Sequence, residues 1–290
     1  MTRIPARQAE FRLGQKLWQV SWGLVFLIVI TAFVGFVMLY SAASGDIEPW
    51  ALRQVVRFGV GLVIMIIIAV SNIYFWLRYA YLIYIASLAL LIAVEFFGSI
   101  GMGAQRWIDF GLMTLQPSEL MKIAIILALA RYFYASRMED VRRISYLFLP
   151  LMMVAAPTAM IIRQPDLGTA LLLAVSGVAV FFLAGVRLWV FVLSGIAAMG
   201  AIIPVWSFVL MDYQKARLLT FLSPEQDPLG AGYHVMQSKI ALGSGGVFGK
   251  GFLDGSQSHL SFLPEKHTDF IFTMLAEEFG MMGGLGLLGL

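Results

Sequence analysis

LPEKHTDFIFTMLAEEFG, residues 263–280, places Pro264, Glu265, Lys266, His267 and Asp269 directly before an apolar run that opens at Phe270. That run continues to Leu290 with Glu277 and Glu278 inside it. An apolar stretch of about 20 residues without strict alternation reads as a helix that crosses a bilayer. Ionisable groups at the mouth of such a helix are costly to keep unless they are used. Asp269 is therefore the first candidate for chemistry at a membrane surface.

The rest of the chain agrees with a membrane setting. Of its 290 residues, 60% are hydrophobic and 13% charged, with mean hydropathy +0.85. Soluble domains are nearer half apolar and a quarter charged. The expected fold class is all-α, a polytopic membrane helical bundle, because helices and closed barrels alone satisfy their backbone in lipid and the apolar runs have helical length. The net charge of +3 is dispersed along the chain, so it gives no argument for nucleic acid. There is no cysteine, which removes disulfide and thiolate chemistry.

About eight spans are expected, near residues 22–40, 55–70, 80–97, 117–134, 144–162, 166–186, 189–211 and 270–290. Arg3, Arg7, Arg12 and Lys16 precede the first, which is too long for a cleaved signal and is followed by more spans. Their charge sets the N-terminus in the cytoplasm. Alternation then puts Arg78, Arg137, Arg142, Arg143 and Arg187 inside, against Arg53, Arg106 and Arg163 outside. Residues 212–269 form a long outer loop within what reads as a single transmembrane domain, 1–290. The apolar run still in progress at Leu290 suggests the N-terminal part of a longer chain.

Inside the loop, DYQKARLLTFL (212–222) and YHVMQSKIAL (233–242) have apolar residues at helical spacing, suited to lying in the interface. SPEQDPLGAG (223–232) is turn chemistry. GSGGVFGKG (243–251) is a glycine turn but no phosphate-binding P-loop: Ser244 stands where the first glycine belongs and Gly251 where Ser or Thr is required. No nucleotide is expected.

Three acids open three inward-running spans: Glu119 after Gln116-Pro117-Ser118, Asp166 after Gln164-Pro165, and Asp269 after Pro264. Taken singly, each reads as a helix cap, since a carboxylate complements the dipole there, and Thr268 suits the N-cap of the last span. All three at one outer level, with Lys122 one turn from Glu119, favour a site. Arg53, Lys266 and His267 lie at the same level. His234, His259 and His267 lack the spacing of a zinc site. Carboxylates without sulfur ligands suit Mg²⁺ or Mn²⁺, so Glu119 and Asp166 either orient Lys122 or, with Asp269, hold such an ion. Glu95 is expected to snorkel, with joining the cluster as the alternative, Glu277 and Glu278 to face the bundle interior or unseen partners, and Trp18, Trp22, Trp76 and Trp189 to form an interfacial belt.

At this point the chain resembles the SEDS family (shape, elongation, division, sporulation) of bacterial membrane proteins. GAQRWIDFG (103–111), QPSELMKIA (116–124), RQPDLGTA (163–170), DPLGAGYHVMQSKIALGSGGVFGKG (227–251) and FLPEKHTDFIF (262–272) carry the likeness. Their wording sits nearer the elongation branch, with the division branch as the alternative. The resemblance implies a ten-span fold, of which the last two spans are absent here. It implies a peptidoglycan glycosyltransferase polymerising lipid II at the outer face of the cytoplasmic membrane, partnered by a class B penicillin-binding protein that supplies transpeptidation. It makes Asp269 the essential acid, with Glu119, Lys122 and Asp166 at further important positions. Asp269 would be the general base, with Lys122, Arg53 and Lys266 neutralising the leaving pyrophosphate. The rival class is a lipid II flippase or transporter, which would spread its acids through the bundle depth; a non-enzymatic scaffold is a third.

Overall fold

The structure, a computed structural model, describes residues 13–101, 104–109, 114–223, 231–256 and 266–290. Arg3, Arg7, Arg12, His259, Pro264, Glu265 and most of the 223–232 turn lie outside them. In order come α1 (Leu13–Trp18), α2 (Trp22–Ala42), α3 (Ala51–Val70), α4 (Ile73–Phe97), β1 (Ser99–Gly101), β2 (Ala104–Asp109), β3 (Thr114–Leu115) and α5 (Pro117–Tyr134). Then follow α6 (Met138–Val141), α7 (Ile144–Arg163), α8 (Leu167–Leu183), α9 (Leu188–Pro204) with a π turn at Val205–Val209, α10 (Asp212–Leu222), α11 (Ala231–Ser244) and α12 (Ile271–Leu288).

All eight expected spans are helices. Six are long and apolar enough to cross a membrane: α2, α3, α4, α7, α9 with its π turn, and α12. α8 is apolar but shorter. α5 has 18 residues and carries Glu119, Lys122 and Arg131. Its apolar stripe Met121, Ala124, Ile125, Ala128 and Leu129 is nevertheless fully buried. Exposed Ile, Leu, Val and Phe line α3 and α9 throughout. Such faces suit lipid and would be a liability in water. α3 and α4 begin earlier than expected, at Ala51 and Ile73. Arg53, Arg57, Trp76 and Arg78 dilute their first turns, but helical hydrogen bonding runs on past the apolar limit.

The all-helical expectation missed one excursion. β1, β2 and β3 form a small antiparallel meander, with Ser99 opposite Trp107 and Ile108 opposite Leu115. The strands are too short to show a period in sequence.

The chain divides into two compact units, and the first contains Ser71–Ala201. Its core joins Leu91 of α4, Met121, Ile125 and Leu129 of α5, Val154 and Ile161 of α7, and Leu173 of α8. α7 and α8 pack closely because Gly177 faces Val154: a Cβ at Gly177 would stand 2.7 Å from the valine Cγ2. The second unit contains Ala9–Val70 and Ile202–Leu290. Its core sets Met38 and Ala42 of α2 against Met274 and Leu275 of α12.

α12 is not continuous. Gly280 has φ 68° and ψ −167°, which breaks the helix. The glycine turn enters the break. Lys250 N donates to Glu277 O at 3.0 Å and Gly251 N to Glu278 O at 3.0 Å. Met281 N donates to Gly246 O at 2.9 Å and Met282 N to Val247 O at 3.1 Å. These four bonds replace those that an unbroken helix would make from Met281 to Glu277 and from Met282 to Glu278. Backbone polar groups at membrane depth must be satisfied somewhere, and here the glycine turn satisfies them.

Candidate functional site

In the first unit, Asp166 is the N-cap of α8. Its Oδ1 accepts from Thr169 N at 3.3 Å and its Oδ2 from Thr169 Oγ1 at 2.9 Å. Gln116, which precedes α5, donates to Oδ2 at 3.4 Å, so the mouths of α5 and α8 lie side by side. Arg106 of β2 stands 3.8 Å from the same oxygen. It also donates to Gln164 O at 3.1 Å and Pro165 O at 2.5 Å, closing over the turn that leads into α8. Gln164 is buried and donates to Leu91 O at 3.2 Å. Glu119 pairs with Lys122 at 2.8 Å, as their spacing of three implies. Glu95 reaches Arg163, with 3.8 Å between Oε1 and Nε.

In the second unit, Lys266, His267 and Asp269 lie in the turn 266–270. The N-cap of α12 is Phe270 and makes no side-chain cap bond, so Thr268 is not the cap. The helix starts later because Phe270 leaves the helical region at φ −113°, ψ 17°. Asp269 is thereby left ahead of the cap. Its carboxylate is exposed, and among the described residues it has no hydrogen-bond or ion-pair partner. Burial pushes the Lys266 ammonium below its ordinary pKa of 10.5. Arg53 is exposed on α3. An apolar groove of about 460 Å³ lies in this unit, lined among others by Phe36, Tyr40, Leu52, Val55 and Phe252.

Deeper in α12, Glu277 and Glu278 face the interior, as expected, with 0% and 1% exposure. Lys250 Nζ donates to Glu277 Oε1 at 2.7 Å and to Ser256 Oγ at 2.8 Å. Ser41 of α2 donates to Glu278 Oε1. In the glycine turn, the N–H groups of Lys250 and Gly251 are spent on α12, that of Gly249 on Gly245 O at 2.8 Å and that of Gly246 on Gly243 O at 3.4 Å.

The sequence candidates therefore fall into two groups: Glu119, Lys122 and Asp166 in one unit, and Arg53, Lys266, His267 and Asp269 in the other. Sequence reasoning passed over Arg106, Gln116, Lys250, Ser41 and Trp50. Proximity in sequence flagged only Gln116, and for Arg106 the sole signal was its place in the 103–111 motif. Among the described residues no three His, Asp or Glu groups converge to hold a metal ion. Asp166 and Glu119 offer hard oxygen donors of the type Mg²⁺ takes, each already engaged by a cation of the chain.

Residues 21–290 match the family model described as cell cycle protein, FtsW/RodA/SpoVE. The chain is 43% identical over 267 residues to the peptidoglycan glycosyltransferase MrdB of Escherichia coli K12, covering 92% of this chain and 71% of that one. It is 38% identical to the probable peptidoglycan glycosyltransferase FtsW of Trichlorobacter lovleyi, over 99% of this chain and 75% of the relative. Among solved structures it resembles a chain from a peptidoglycan synthase complex that coordinates polymerization and crosslinking. There the TM-score is 0.73 at 33% identity, covering 93% of this chain and 74% of the other. It also resembles the rod shape determining protein RodA of Thermus thermophilus, with TM-score 0.62 at 30% identity over 94% and 72% of the two chains.

Proposed function

This chain belongs to the FtsW/RodA/SpoVE family, the SEDS proteins, and from that premise we infer how it works as a peptidoglycan glycosyltransferase of the elongation type. It is a multi-pass membrane protein of the bacterial SEDS family. Our reading orients it with the N-terminus in the cytoplasm and the turn bearing Asp269 at the outer face of the cytoplasmic membrane. The substrate is lipid II, whose isoprenoid stays in the bilayer, against the apolar groove beside α2 and α3, while its sugars meet the polar turn. The partner is a class B penicillin-binding protein that crosslinks the strands. A complex of that general kind contains the similar chain above.

Asp269 is the general base. It takes the proton from the acceptor sugar hydroxyl as that oxygen attacks the donor's anomeric carbon. The glycosidic bond forms as the bond to the lipid pyrophosphate breaks. The observation that carries this role is that Asp269 is exposed with no partner among the described residues, whereas Asp166 and Glu119 are committed to caps and cations. A positioned base contributes about 10²–10⁴-fold. Lys266 and Arg53 are the cations we assign to the leaving pyrophosphate, with His267 supporting the acidic turn. The buried acids Glu277 and Glu278 are engaged by Lys250 and Ser41, which supports a structural role over a proton path through the bundle.

The test is polymerisation of purified lipid II by the detergent-solubilised protein, where flipping has no meaning. Asp269→Asn should yield no glycan while folding and binding its partner as before. Strand synthesis by that variant at the parental rate would remove Asp269 from the mechanism.

A further inference from the structure

Trp50 is the last residue before α3, in the connection from α2, and its indole lies flat on the imidazole of His267. The ring centroids are 4.4 Å apart and the planes meet at 9°. The same indole packs against the cluster of Met38, Ala42, Met274 and Leu275, which ties α2 to the first half of α12. Its backbone is fixed as well, since Trp50 O accepts from Gln54 N at 3.1 Å in the first turn of α3. Trp50 is thus held by α2, α3 and α12 together, and it offers its open face to a residue two positions before Asp269.

We propose that Trp50 is a positioning residue for the Asp269 turn, acting through the stacked ring of His267. The physical need is plain. Asp269 precedes the N-cap of α12, so helical hydrogen bonds do not fix its backbone, and its carboxylate has no partner among the described residues to aim it. A flat aromatic contact restrains the turn in two dimensions while leaving the carboxylate free. A base displaced by about 1 Å loses on the order of 100-fold in rate. Removing the stack therefore lowers turnover far more than it lowers binding.

This inference rests on Asp269 being the base, and the experiment separates the two. The protein is assayed on purified lipid II as Trp50→Leu, Trp50→Phe, His267→Gln and Asp269→Asn. Trp50→Leu should lower kcat by about 10- to 100-fold with KM within about threefold, and Trp50→Phe, which keeps a flat ring, should restore most of it. The chain has 7 tryptophans, so the emission of Trp50 is read as the difference between the parent and Trp50→Phe. A stacked imidazole quenches indole emission, so that difference should rise in the His267→Gln background. An unchanged kcat in Trp50→Leu overturns the proposal, as does a loss that Trp50→Phe fails to restore or a Trp50 emission indifferent to His267. Full activity in Asp269→Asn overturns the base assignment instead, and with it the purpose given to Trp50, while the emission difference still reports the stack.

Discussion

Lys250→Met in the glycine turn isolates what holds the broken last helix together. The ammonium sits 2.7 Å from Glu277 Oε1, the carboxylate is 0% exposed, and the lysine side chain is 26% exposed. At an effective dielectric of about 20, two unit charges at that distance attract by about 6 kcal/mol. Proton uptake and local relaxation absorb part of this, and losing one partner of a buried pair costs about 3–5 kcal/mol. Methionine keeps most of the stem's volume, so the loss is chiefly electrostatic. Taking about 4 kcal/mol and roughly 2 °C per kcal/mol at this chain length, Tm should fall by about 8 °C. Thermal unfolding in detergent, followed by the surviving monodisperse fraction, measures it. Adding Glu277→Gln removes the stranded charge, and the double variant should return to within about 2 °C of the parent, since a buried pair removed whole is often neutral. A single variant as stable as the parent, or a double variant no better than Lys250→Met alone, would refute the reasoning.

Gly249→Ala should leave little folded protein by size-exclusion chromatography. Gly249 has φ +84°, and an added Cβ would stand 2.1 Å from the backbone oxygen of Glu278. Gly246→Ala, at φ +58° with open space around it, should cost only the left-handed backbone penalty of about 1–2 kcal/mol. Ser41→Ala strips a hydrogen bond from the buried carboxylate of Glu278 and should lower stability by about 1–3 kcal/mol in the same melt. Arg106→Lys should not replace arginine in the polymerisation assay, because a point ammonium cannot serve Gln164 O, Pro165 O and Asp166 together. Lys266 holds its proton less tightly when folded than the 10.5 of the free side chain, so the unfolded chain binds more protons between the lowered value and 10.5. Stability relative to Lys266→Met should therefore rise with pH across that window, while the cation available to the leaving pyrophosphate declines. Alkaline melts and rates measured side by side check the opposed slopes.

Some of the site was legible because its signals are local. Pro117, Pro165 and the carboxylates beside them announced helix mouths, and the spacing of Glu119 and Lys122 announced their ion pair. The cap of α12 was misplaced by two residues because Thr268 has the chemistry of a cap and only backbone geometry denies it that place. Asp166 shows the reverse: capping and a role in the site were both readable, and the structure realises the cap.

Hydropathy alone determined that this chain is a bundle of membrane helices and roughly where each lies, because the cost of lipid contact is summed residue by residue along a helix. The break at Gly280, the glycine turn lodged in it, Ser41 against Glu278 across 237 positions, and Trp50 on His267 were decided by tertiary structure only. They depend on backbones and rings that meet after folding. No periodicity along the chain encodes which distant partner will fill a helix's missing hydrogen bonds.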